Sequence, residues 1–101
     1  MSFGEYIKKL RKSIGLTQED VATKAGVTKS YLSKIEKGHV SPPSEDKLLQ
    51  LAEALQDDPN TIIYRAGKIS SEIRDLILQE PGVFDYLHQK LKDKHNAERK
   101  E

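Results

Sequence analysis

Apolar residues recur along most of this chain at intervals of three and four, the spacing that gives an α-helix one buried stripe. No segment alternates apolar and polar residues in the manner of a half-buried strand. Phe3, Ile7, Leu10 and Ile14 make the first stripe and predict a helix over Phe3–Ser13. Ser2 with Glu5 three residues later is a capping-box pattern at its start, and Gly15 suits its end. Thr17 caps a second helix that carries Val21, Ala22 and Ala25 inward and stops at Gly26. Thr28 caps a third, with Leu32 and Ile35 inward and Gly38 at its end. After the stiff Pro42-Pro43 loop, Ser44 is placed to cap a fourth helix with Leu48, Leu51, Ala52 and Leu55 on its buried face. Asp58 followed by Pro59 starts a fifth, short helix that holds Ile62 and Ile63 and ends near Gly67.

The second and third helices are short, and only a tight turn separates them. They cannot lie side by side as a long hairpin, so they cross steeply, as in a helix-turn-helix. Ala22 must then be small because the third helix passes over it. Gly26 sits where the turn requires a positive φ. Beyond Lys68 the stripes change: Ile69, Ile73, Leu76 and Ile77 form one, Pro81-Gly82 breaks it, and Val83, Phe84, Leu87 and Leu91 form another. Two short helices here carry more apolar surface than they can bury on each other. Residues 93–101 have almost no apolar side chains and are expected to be disordered. The fold class is therefore all-α: a five-helix domain over residues 1–67, a two-helix element over 68–92 and a tail.

Composition narrows the functional classes. The chain has 101 residues, 36% hydrophobic and 33% charged, enough for one modest core but not for a large substrate cavity. It has no cysteine, and no apolar run approaches the roughly 18 residues of a membrane span. A soluble, intracellular protein is expected, with no membrane and no small-molecule ligand. The net charge is only +1, but its distribution is uneven. Lys8, Lys9, Arg11 and Lys12 stand against Glu5 in the first twelve residues, and Lys24, Lys29, Lys34 and Lys37 against Glu36 in the third-helix region. Acid dominates the segment that follows. Local basic faces of this kind suit phosphate contact, though solvated helix faces show the same pattern.

Thr17-Gln18-Glu19-Asp20-Val21-Ala22, Gly26-Val27-Thr28 and Leu32-Ser33-Lys34-Ile35-Glu36-Lys37-Gly38 together resemble the phage repressor and Cro family, the xenobiotic-response-element type of helix-turn-helix protein. The likeness covers residues 3–67 and implies a five-helix domain that reads double-stranded DNA with residues 28–37 in the major groove. It places Thr28, Lys29, Ser30 and Lys34 toward base edges, and lysine can donate to guanine O6 and N7. It places Gln18, Tyr31, Lys37, His39 and Ser41 toward phosphates, and makes Arg11 and Glu36 a structural ion pair. Two departures stand out. The loop after the third helix lacks the family's frequent Arg or Lys, and the glutamine pair common at the reading positions is absent.

The C-terminal stripes either wrap back on the first domain or pair with a second chain. The second option gives a homodimer matched to a palindromic site, with Ile73, Ile77, Phe84, Leu87 and Leu91 at the interface. The three histidines share no ligand spacing, and no nucleophile has an evident base, so neither a metal, a cofactor nor an enzyme activity is expected. A transcriptional regulator, most simply a repressor, is the first functional expectation. An antitoxin or coactivator that uses the last two helices on a regulatory protein partner is the alternative.

Overall fold

The computed structural model describes residues 1–99. Among them are seven α-helices and no strand: α1 (Phe3–Ser13), α2 (Gln18–Ala25), α3 (Lys29–Lys37), α4 (Glu45–Leu55), α5 (Pro59–Arg65), α6 (Ser71–Gln79) and α7 (Pro81–Arg99). The chain divides into two compact units, Met1–Ser70 and Ser71–Glu101.

In the first unit, short-range chemistry brackets each helix. The side chains of Ser2, Thr28 and Asp58 accept the backbone N–H three residues on. Thr17 does the same for Asp20, whose carboxylate in turn accepts the Thr17 N–H, closing a full capping box. Hydrogen bonds to the Asp20 carboxylate from the Thr17 backbone N–H and then the Thr17 side chain draw that carboxyl below its ordinary pKa. Each such cap is worth about 1 kcal/mol. Ser44 occupies the cap position of α4 but makes no side-chain cap bond, so the expected cap is positional only.

One core joins the five helices. Ile7, Val21, Leu32, Leu48, Leu51, Leu55, Ile62 and Ile63 are its fully buried large side chains. Phe3, Leu10, Leu16, Val27 and Tyr31 pack around them. Helix α2 packs on α4, α1 on α3, and α4 on α5. The α1–α3 crossing depends on Gly4. A Cβ there would fall against the carbonyl oxygens of Ile35 and Glu36, 2.5 Å from the latter. Tyr6 fastens the other side of α1: its hydroxyl donates to Asp57 Oδ2 at 2.6 Å, and the Arg65 guanidinium lies 4.9 Å from its ring centroid.

The first unit extends past the expected boundary at residue 67. The Lys68 N–H donates to the Ile63 carbonyl and its Nζ to the Pro43 carbonyl at 2.9 Å. Ser70 is buried, and its hydroxyl donates to Asn60 Oδ1.

In the second unit, α6 and α7 bury no residue among those described. The sequence reading begins a disordered tail at residue 93, whereas α7 continues to Arg99. Apolar residues govern packing rather than helix formation. The Lys, Ala, Glu and Arg of this stretch are good helix formers, and Gln89 donates to Asp93 one turn on. Residues 100 and 101 lie outside the described residues.

Candidate nucleic-acid interface

Helices α2 and α3 meet through a turn built for a steep crossing. Gly26 ends α2 at φ 68°, ψ 32°, in the left-handed region that penalises a Cβ. Its carbonyl accepts from Lys47 Nζ on α4 at 3.3 Å, which braces the turn from behind. Ala22 is buried in the core that α2 and α3 share, which leaves little room for a larger side chain.

The inward side of α3 carries Leu32, Ile35 and Glu36. Glu36 is the polar member, and it is saturated. Arg11 Nε donates to its Oε2 at 2.7 Å and Nη2 to its Oε1 at 3.0 Å, a two-pronged pair that is almost wholly buried. Gln18 Nε2 donates to the same Oε1 at 3.1 Å. Arg11 Nη1 reaches the Leu16 carbonyl at 3.0 Å. One carboxylate therefore ties α1, α2 and α3 together, and its hydrogen bonds hold the Arg11 guanidinium above its ordinary pKa. The likeness to known proteins implied the Arg11–Glu36 pair. The same likeness makes Gln18 a buttress of the reading helix but does not name Glu36 as its acceptor, for which one glutamine carries no sequence signal.

With those groups turned inward, the outer side of α3 shows Lys29, Ser30, Lys34 and Lys37 to solvent, and Ser33 in part. Among the described residues none engages the ammonium groups of Lys29, Lys34 or Lys37 in a hydrogen bond or ion pair. Thr28, also exposed, spends its hydroxyl on the Tyr31 N–H. Tyr31 is half-buried and packs against the core. His39 and Ser41 are exposed in the loop that follows. Beside α3, Arg11, Thr17, Gln18, Glu19 and Lys29 line a shallow depression of about 490 Å³. The structure thus brings Gln18, Lys29 and the Arg11–Glu36 pair to one place, with Ser30, Lys34 and Lys37 along the adjoining face.

A family model described as helix-turn-helix matches residues 7–57, half of the chain. The chain belongs to the helix-turn-helix family. Relatives similar to it include HTH-type transcriptional regulators, and similar solved structures include the DNA-binding domain of the P22 c2 repressor. An HTH-type transcriptional regulator of Mycobacterium tuberculosis is 31% identical over 89% of this chain and 66% of its own length. The HTH-type transcriptional repressor RghR of Bacillus subtilis is 38% identical over 67% of this chain and 50% of its own. The chain thus spans half to two thirds of the length of these two relatives. SinR of Bacillus subtilis is 38% identical over 73% of this chain and 72% of its own.

Solved structures of the helix-turn-helix family repeat the first unit. SinR in complex with DNA is 38% identical over 59% of this chain and 95% of its own, with a TM-score of 0.56. The complex of SinR with SinI covers 98% of this chain and 99% of its own, at 28% identity and a TM-score of 0.57. This helix-turn-helix chain has no helix among its described residues long and apolar enough to cross a membrane. No group of metal-ligating side chains converges among them either.

The residues assigned to a dimer interface lie in the second unit. Ile73 and Ile77 are half-buried on α6, and Phe84, Leu87 and Leu91 are about half exposed on α7. Leu76, on α6, was not in that set and is 48% exposed, so it adds to the same uncovered apolar surface.

Proposed function

We propose that this chain is a dimeric repressor that sets α3 of each protomer into the major groove of a palindromic operator, in the cytoplasm of a bacterium or phage-infected cell. The observation that carries this reading is the outer side of α3, basic and unengaged above a buried three-helix tie. Helix-turn-helix proteins dock the N-terminal part of the second helix against base edges. In this reading Thr28, Lys29, Ser30 and Lys34 meet the bases. Gln18, Tyr31, Lys37, His39 and Ser41 meet phosphates. Gln18 gives one amide proton to Glu36, which leaves the other for a phosphate oxygen.

One helix-turn-helix reads one half-site, and specific affinity calls for two. Ile73, Ile77, Phe84, Leu87 and Leu91 supply the pairing surface, since no described side chain of α6 or α7 is fully buried. The test has two arms. Selection of bound duplexes from random DNA at about 150 mM salt should return inverted half-sites about one helical turn apart. Sedimentation of the wild type should show a dimer, and Leu87→Glu a folded monomer with weakened operator binding. Recovery of no consensus, with binding that vanishes as salt rises, would remove the operator reading.

A second reading follows from the SinR–SinI likeness, which extends over the second unit as well. Here α6 and α7 take a different regulatory protein, as in an antitoxin or adaptor. It predicts a monomer at all concentrations until that partner is added.

A further inference from the structure

The reading surface of α3 is unusual in what it lacks. From Lys29 to Lys37 the helix contains no Asn, Gln or Asp, and its one carboxylate, Glu36, is buried and occupied by Arg11 and Gln18. On the outer side Ser30 lies at the centre, with Lys34 one turn further along and Lys29 at the flank. An ammonium group is a donor only, with three protons and no lone pair. Tyr31 is drawn toward the core. Hydrogen-bond acceptors on this side of α3 are thus confined to the serine hydroxyls.

The major-groove edges of the four bases answer such a surface very differently. Guanine offers N7 and O6, two neighbouring acceptors that one ammonium can bridge. Adenine offers N7 beside an amino donor, so a lysine gains one acceptor and faces one like-polarity group. Thymine offers O4 beside a methyl group, and cytosine only a donor. Apart from the serine hydroxyls, the acceptors that would read adenine or cytosine are absent from the exposed face of this helix.

Resting on the operator reading above, we infer that Lys34 is a specificity-determining residue that selects guanine, so that each half-site carries a guanine at the base it faces. Lys34 suits the task because it is exposed, near the centre of the outer side, and unengaged among the described residues. Lys37, a further turn toward the C-terminus, lies away from the end of the helix that docks against bases. Ser30 accepts either kind of edge, and so leaves its own position less sharply defined.

The experiment starts from the duplexes selected by the wild-type chain. Each half-site should contain a guanine whose replacement by 7-deazaguanine, which removes only the N7 acceptor, weakens binding by about fivefold to tenfold. Inosine at that position keeps O6 and N7 and should bind as guanine does. Selection repeated with Lys34→Gln should exchange that one guanine for adenine, since glutamine pairs with adenine N6 and N7, while the other positions stay as they were. A wild-type consensus without guanine in its half-sites, insensitivity to 7-deazaguanine, or an unaltered consensus for Lys34→Gln would each overturn the assignment and leave the operator reading standing. No consensus for the wild type would overturn both.

Discussion

Replacing Gly4 by alanine should destabilise the first unit, although the same change at Gly82 should not. Both glycines occupy the second position of a helix, in α1 and α7. An alanine in a helix normally gains about 0.5–1 kcal/mol over glycine through lost unfolded-state freedom. Around Gly82 nothing lies within 4 Å of the added Cβ, so that gain should appear in full. At Gly4 the Cβ would stand 2.5 Å from the Glu36 carbonyl oxygen and against that of Ile35. A relaxed carbon–oxygen contact needs about 3.3 Å, so α1 and α3 must part by roughly 0.8 Å. Those oxygens are backbone and cannot swing aside as a flexible side chain would. Overpacking of this kind costs about 1–3 kcal/mol, which leaves a net loss of up to about 2.5 kcal/mol after the propensity gain. In a unit of this size each lost kcal/mol lowers Tm by about 4–8 °C. Urea unfolding followed by far-ultraviolet circular dichroism, compared at constant m-value, reads both variants. Equal or greater stability of Gly4→Ala would refute the close crossing of α1 and α3.

Three further outcomes follow from the contacts above. Glu36→Ala strands a buried guanidinium and should cost about 3–5 kcal/mol, while the apolar pair Arg11→Met/Glu36→Leu should lose far less by chemical denaturation. Gln56 ends α4 at φ 57°, where a side chain is strained, so Gln56→Gly should raise stability by about 1 kcal/mol in the same assay. Burial first, and then the hydrogen bond to Asp57, push the Tyr6 hydroxyl up to about 12. The folded state therefore keeps a proton that the unfolded chain releases near pH 10, and stability falls as pH rises from about 10 to 12. Ultraviolet titration of the four tyrosines should show a late-ionising member that Tyr6→Phe removes.

The helices of the first unit are readable from sequence because their limits depend on chemistry within four residues. Ser2, Thr17, Thr28 and Asp58 cap, Gly15, Gly26 and Gly38 stop, and the apolar stripe between them selects the buried face. What sequence reading misses acts at a distance or leaves no local mark. The partners of Gly4 lie some thirty residues away on α3, and nothing beside Gly4 distinguishes it from a weak helix residue. Lys68 reads as an ordinary surface cation until the Pro43 carbonyl is brought beneath it. Gln56 adopts a backbone that sequence rules reserve for glycine. The helix beyond residue 92 escapes a test based on apolar periodicity, because that test reports which residues pack and is silent on which will coil. For the candidate site, family likeness indicated the residues of α3, and the structure adds how Glu36 and Gln18 are spent.

The division of labour within α3 bears on how such a chain can change over time. Leu32, Ile35 and Glu36 carry the helix's share of folding, whereas Lys29, Ser30, Lys34 and Lys37 face outward. Exposed substitutions away from structural contacts typically shift stability by no more than about 0.5 kcal/mol in either direction. The outward residues can therefore drift or be exchanged almost freely without unfolding the protein. In the operator reading proposed above, descendants of one scaffold acquire new genomic addresses one side chain at a time, each intermediate remaining folded.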